Sequence, residues 1–299
     1  MTVLDRCMSI ELSTPGVQGL VEAVREMREW QQDGMPVQLH PGDLGWNWRF
    51  GADATAAAVR TWSRDGRLVA VGFLDDPRAL RMAIAPAAGD DDELAHQLLT
   101  DVSRPERGVL PAGEALVEAR FGDAFRASLV DAGWGDGEPW TPLVRDLTEP
   151  VEDSGLRVEA VGTDPGPELL RDRVAVQRAS FDTSTFSEAR WREMASGPAY
   201  VDARCLVAYD ESGAAVATAT VWSAGRGRPG LIEPLGAHRD HRGRGHGRSI
   251  TLACAAALRE LGASSCLVCT PSANVGAVAA YVSAGFRRLP DAHDLHRAA

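Results

Sequence analysis

Between residues 237 and 248 the chain reads Ala-His-Arg-Asp-His-Arg-Gly-Arg-Gly-His-Gly-Arg. Gly243, Gly245 and Gly247 let the main chain approach a ligand closely and turn its N–H groups toward it. A helix is expected to start at about 247, and its positive end would point at the same place. Such a construction suits a pyrophosphate. A glycine pattern alone also describes a flexible turn or a dinucleotide fingerprint. The fingerprint needs the first strand of a βαβ unit and an acid about 20 residues on. Here the glycines fall late in their domain, behind a β-hairpin.

Flanking residues supply further chemistry. Glu233 lies on a short apolar strand over 231–237, and alternation puts it on the face of Leu231 and Leu235. Burial there would raise its pKa and suit it to take a proton from an ammonium; a salt bridge to a nearby arginine is the other reading. Pro234 within the strand asks for an edge or a bulge. Asn274 and Tyr281, seven residues apart, share one face of a helix over about 274–284. Taken alone, Asn274 reads as a helix N-cap and Tyr281 as a core aromatic. His238 and His241 have no third ligand nearby and stand among arginines, so no metal is expected. In Cys266-Leu-Val-Cys269, strand positions three apart face opposite sides, which makes the pair small core residues rather than ligands.

A chain of 299 residues, at roughly 150 per domain, suggests two domains. With 44% hydrophobic and 24% charged residues, a folded core is expected. All 31 basic residues are arginine, which excludes a P-loop lysine, a Schiff-base lysine and a pyridoxal-phosphate enzyme. Neither a long apolar run nor a secretion signal is present, so no membrane partner is expected. Cys7, Cys205, Cys254, Cys266 and Cys269 are odd in number and scattered, as in a reduced, cytoplasmic protein. The net charge of −11 argues against nucleic acid. Residues 1–150 carry 14 Arg against 25 acids, and residues 151–299 carry 17 against 17. Six Arg lie within 226–248, beside only Glu233 and Asp240, so an anionic ligand is expected there.

The elements repeat. A polar, proline-bearing stretch over 148–155 divides the chain into 1–150 and 151–299. The second half reads as a helix from 173, a hairpin (205–209 and 215–222), a strand over 231–237, a helix over 247–261 capped by Gly262, a strand over 266–269, a helix ended by Gly285, and a short tail. The first half reads as strands over 59–63, 67–74 and 79–85, a helix over 92–102, a strand over 115–119 and a helix over 123–132. Its helix end, Ala127-Ser-Leu-Val-Asp-Ala-Gly-Trp134, lies 152 positions before Ala279-Ala-Tyr-Val-Ser-Ala-Gly-Phe286. So long a period means duplicated domains rather than a solenoid. The expected fold is mixed α/β (α+β).

Residues 155–290 resemble the GCN5-related N-acetyltransferase (GNAT) superfamily. Its phosphate loop, Gln/Arg-x-x-Gly-x-Gly/Ala, is matched by Arg242-Gly-Arg-Gly-His-Gly247, and its Asn-x-x-Ala-x-x-x-Tyr…Gly-Phe by Asn274, Ala277, Tyr281, Gly285 and Phe286. The resemblance implies two tandem GNAT-like domains, each a mostly antiparallel twisted sheet flanked by helices, with acetyl-CoA as co-substrate. Main-chain groups of Arg242, Gly243, Arg244, Gly245, His246, Gly247 and Arg248 would hold the pyrophosphate. Leu235, Gly236 and Ala237 would pair with the pantetheine arm, and one of their N–H groups would polarise the thioester carbonyl. Asn274 would bond the arm, Tyr281 would act as acid and Glu233 as base.

The first half has Ala85-Pro-Ala-Ala-Gly-Asp-Asp-Asp-Glu93 where the loop should stand, with Leu129 for Tyr281 and Gly122 for Asn274. Four consecutive acids would repel a pyrophosphate. Residues 1–150 therefore read as a degenerate copy that shapes structure or substrate. Its segment 39–48 is a packed turn or a pocket wall. The acceptor is expected around 181–186 and Trp191, where Asp182 is a polar contact and Ser187 a helix cap. The expected activity is N-acetylation of a small-molecule amine, in a monomer or homodimer. A mycothiol synthase-like acetylation of a cysteinyl amine and a non-catalytic acyl-CoA-binding module are the alternatives.

Overall fold

The computed structural model describes residues 9–299; Cys7 lies outside the described residues. In chain order come β1 (Ile10–Ser13), α1 (Val17–Trp30), α2 (Pro41–Asn47), α3 (Ala52–Ala58), β2 (Val59–Arg64), β3 (Arg67–Asp76), β4 (Ala79–Ile84), α4 (Asp92–Ser103), β5 (Ala115–Glu118), α5 (Asp123–Asp131) and β6 (Gly135–Asp146). There follow β7 (Arg157–Val161), α6 (Pro167–Ser180), α7 (Glu188–Ser196), β8 (Ala203–Tyr209), β9 (Ala215–Ser223), β10 (Gly230–Ala237), α8 (His246–Glu260), β11 (Ser265–Pro271), α9 (Val275–Ser283), β12 (Arg287–Arg288) and β13 (Ala292–Arg297).

Two compact units form. Unit 1 holds the described residues up to Trp30, with Asp53–Glu138 and His293–Ala299; unit 2 holds Gln31–Ala52 and Pro139–Ala292. Strand order within unit 1 is β1-β2-β3-β4-β5-β13, and within unit 2 it is β6-β11-β10-β9-β8-β7 with β12 on β6. The pairs β4/β5 and β10/β11 are parallel, and the other pairs within the units are antiparallel. The mixed α/β, mostly antiparallel fold expected of the sequence is thus the one observed. Each unit has its own core: Trp62, Leu80, Met82, Leu98, Phe125 and Leu295 in unit 1, and Leu143, Val221, Ile232, Ile250, Leu258 and Phe286 in unit 2.

The repeated helix end has the same hydrogen bonds in both units. Gly133 and Trp134 donate to Val130 O and Leu129 O (2.9 and 3.0 Å), and Gly285 and Phe286 to Val282 O and Tyr281 O (3.0 and 3.1 Å). Both glycines have positive φ, +89° and +81°, which a glycine adopts without steric cost.

Five strands, β1, β6, β7, β12 and β13, escape the sequence reading, and two of them matter most here. The tail after Phe286 is not a loose end: β13 pairs β5, with Leu295 opposite Val117. Meanwhile β6 runs along β11 from Trp140↔Pro271 to Asp146↔Ser265. Pro139 and Pro142 disguise β6 as a loop, because a proline lacks the N–H that a ladder uses.

Segment 31–52 packs within unit 2. Pro41 opens α2, His40 Nδ1 accepts from Gly42 N (2.9 Å), and Asp43 Oδ2 accepts from His40 N (2.7 Å). A Cβ on Gly42 or Gly45 would fall 2.4 Å from the Trp222 side chain. Segment 39–48 is packed, as one of its two readings expects, but it forms the helix α2 rather than a turn.

Candidate active site

Strands β10 and β11 pair at only two positions, Gly230↔Cys266 and Leu231↔Leu267, and then diverge. On its other edge β10 stays on β9 through Ala237↔Ala217, apart from a register shift between Ile232 and Leu235. Glu233 and Pro234 occupy that shift, and the peptide between them is cis. The shift carries Leu235 onto the face of Ile232, since their partners Ala219 and Val221 are two apart. Alternation through Leu231, Glu233 and Leu235 is therefore broken, because the bulge holds one residue more than the ladder opposite it. Trp222 Nε1 donates to Glu233 O (2.6 Å) and holds the bulge in place.

The gap opens into a cleft of about 1030 Å³. Glu233, Leu235, Gly236 and Ala237 line its β10 wall; Val268, Cys269, Thr270 and Pro271 line its β11 wall. At its mouth stand Arg242, Gly243, Gly245, His246, Gly247 and Arg248. Ser249 N donates to Gly245 O (3.1 Å) as the first helical bond of α8. The N–H groups of Gly245, His246, Gly247 and Arg248 precede that bond and have no intrahelical acceptor. Gly243 and Gly245 have φ of +76° and +85°, and a Cβ on either would meet nothing within 4 Å. Packing does not require these glycines. The backbone conformation does, together with anything that approaches from outside.

The arginines divide by role. Arg239 Nε bonds Ala179 O (2.8 Å) and Arg242 Nη2 bonds Ser180 O (2.9 Å), so both side chains cap the C-terminal carbonyls of α6. Arg242 N turns toward Arg239 O (3.5 Å), so the inward-facing donors begin after it. Arg248 Nε bonds Ser283 O (3.0 Å), tying α8 to α9. Arg244 is exposed and is not part of the cleft wall, unlike its neighbours in the expected set. His241 Nδ1 and His246 Nε2 are buried without a hydrogen-bond partner. Burial, then the nearby His241 charge, lower the His246 pKa. Among the described residues no group of three His, Cys, Asp or Glu could hold a metal ion, and no helix is long and apolar enough to cross a membrane.

Asn274 caps α9, its Oδ1 accepting from Ala277 N (3.2 Å), and it also lines the cleft. About two turns further along α9, Tyr281 is buried on the cleft wall. Burial, and next the charge of Glu233, push its pKa up. The sequence places these two residues in one helix; the fold brings Glu233 to them from the strand across.

Residues 168–286 match the Acetyltransferase (GNAT) family model. The match covers the cleft-bearing elements from α6 to α9. No curated protein matches the chain in sequence. The whole chain is similar in fold to a GCN5-related N-acetyltransferase from Sphaerobacter thermophilus (19% identity, TM-score 0.55, covering 99% of this chain and 96% of that one). It is also similar to a tandem GNAT protein from the clavulanic acid biosynthesis pathway (14%, TM-score 0.59, 97% and 98%) and to a GNAT-family acetyltransferase from Colwellia psychrerythraea (16%, TM-score 0.58, 97% and 98%). At these identities the likeness is one of fold.

Around the cleft, the expected acceptor residues separate. Phe181 lines the cleft, whereas Trp191 is buried against Tyr200 (6.2 Å) and Phe186 stacks on Trp46 (5.3 Å). Asp182 pairs with Arg239 (3.1 Å), and Ser187 caps α7 by accepting from Arg190 N (3.3 Å). Trp140 and Cys269 line the cleft although sequence reasoning put neither there. Trp140 stands in no motif, and Cys269 belongs to a short apolar run whose sequence reads as core. Over 85–93, Asp91 caps α4 through Leu94 N (2.9 Å) and pairs with Arg64 (2.5 Å). The hydrogen bond from Arg64 holds its carboxyl below the usual range. In unit 1, then, a carboxylate of the chain itself occupies the helix N-terminus.

Proposed function

We propose that the protein is an acetyl-CoA-dependent N-acetyltransferase that acetylates the amine of a small molecule in the cleft of unit 2. In the same reading residues 1–150 descend from a duplicated GNAT-like domain that has lost its cofactor site, and residues 151–299 are the catalytic domain. The divergence of β10 from β11, with the first turn of α8 at its mouth, carries the proposal. The edge of β10 that faces β11 has no ladder partner beyond Leu231, so an extended ligand arm can add to it as a strand does. The donors from Gly243 to Arg248, with the His246 Nε2 that has no hydrogen-bond partner, suit a diphosphate. A cytoplasmic setting is supported by the free Cys205, Cys254, Cys266 and Cys269.

Acetyl-CoA supplies the acyl group as a thioester. Glu233 takes a proton from the acceptor ammonium and leaves a nucleophilic amine. A main-chain N–H among Leu235, Gly236 and Ala237 donates to the carbonyl oxygen, where charge develops. Tyr281 keeps its proton at neutral pH and gives it to the departing sulfur. Asn274 orients the arm while capping α9.

Glu233→Gln tests the assignment. Turnover should fall about 100-fold or more, as for loss of a general base, while calorimetry shows acetyl-CoA affinity unchanged. Equal turnover at every pH removes Glu233 from the mechanism. If Tyr281→Phe also leaves every activity intact, the acyl-CoA-binding module becomes the better reading.

A further inference from the structure

The two faces of the unit 2 strands carry different chemistry around the cleft. Leu143 and its partner Val268 belong to the core that holds Ile250 and Leu258 of α8, so residues in phase with them face α8 and α9. Trp140 and its partner Pro271, with Cys269 in phase, face the other way. The same division holds along β10. A Cβ on Gly230 would meet Leu258 of α8 at 2.4 Å, whereas Leu231 pairs with Trp222, which packs against α2. The phosphate-loop donors and Tyr281 therefore belong to one side, and Trp140, Pro271 and Cys269 to the other, yet all line one cleft. The opening between β10 and β11 passes through the plane of the strands.

Charge divides in the same way. The arginines of the cleft, Arg242 and Arg248, stand at the loop with His241 and His246, and Glu233 is the only carboxylate among its lining residues. Beyond Glu233 the far side offers an indole, the Phe181 ring and a proline.

We infer that Trp140, supplied by a strand that precedes the matched segment 168–286, is the acceptor-specificity residue: the acetylated amine carries an apolar or aromatic body that packs on its indole. The inference rests on the acetyl-transfer reading above. An ammonium group between Glu233 and an aromatic face is doubly favoured, and a flat apolar body keeps the contact that a polyhydroxylated one forgoes.

Full-length protein is assayed for thiol release from acetyl-CoA with phenethylamine or glucosamine as acceptor. The wild type should use phenethylamine with the higher kcat/KM. Trp140→Ala should raise the KM for phenethylamine about tenfold, change that for glucosamine less than about twofold, and leave the calorimetric acetyl-CoA Kd unaltered. Trp140→Phe should restore most of the difference. A preference of the wild type for glucosamine, or an equal response of both amines to Trp140→Ala, overturns the inference and leaves acetyl transfer standing. No thiol release by the wild type with either amine, in a protein that does not bind acetyl-CoA, overturns the acetyl-transfer reading and the inference with it. Binding without transfer to either amine overturns the inference alone.

Discussion

Tyr281 shows how burial selects a role. A phenol ordinarily loses its proton near pH 10, and here burial, followed by the Glu233 charge, moves that loss upward. The proton therefore stays in place at neutral pH, as the proposed role of acid requires. Turnover should rise with pH as the base and the acceptor lose protons, and should show no descending limb from Tyr281 below about pH 10. Tyr281→Phe should lower the plateau about tenfold or more without moving the rising limb. A limb that falls between pH 7 and 9 in the wild type and vanishes in Tyr281→Phe would contradict this role. Asn274 and Tyr281 were legible in the sequence because their relation is local to one helix. The setting of Glu233 was not. Its carboxylate could be singled out by eye, but alternation cannot count a bulge that depends on the strand next door.

Among the elements, α8 and α9 were legible because glycines at 245, 262 and 285 mark their limits and the apolar residues between them are periodic. What positions β10 was less visible. The α2 helix bears on Trp222 through two glycines, and Trp222 holds Glu233 O. A residue in the first 50 thus supports the bulge through two contacts. Gly42→Ala should destabilise the protein by about 1–3 kcal/mol, the usual cost of overpacking a core, and should also lower kcat as Trp222 is displaced. Thermal unfolding with an acetyl-CoA titration separates the two effects: a lower Tm and lower kcat with unchanged affinity fit this arrangement, whereas an unchanged Tm would show that α2 is not packed against Trp222. Strand β6 was illegible for a different reason. Its prolines suppress the local signal, and only the exposed edge of β11, some 125 residues later, gives it a partner.

Across the whole molecule, the two units repeat one order of elements and one helix ending, yet their helix N-termini have opposite fates. In unit 2 the first turn of α8 is open to the cleft; in unit 1 Asp91 already satisfies α4 and is held by Arg64. The acidic run over 90–93 let the sequence announce this difference, whereas the placement of residues 31–52, 139–147 and 293–299 could be learned only from the fold. The central claim is one working acetyl-CoA site per chain, at the β10/β11 divergence. Calorimetric titration of the full-length protein with acetyl-CoA tests it most directly, alongside Gly245→Val, which puts a branched side chain at φ +85°. One site per chain in the wild type, abolished in a folded Gly245→Val, is the predicted result. Two sites, or one that survives the substitution, would contradict it.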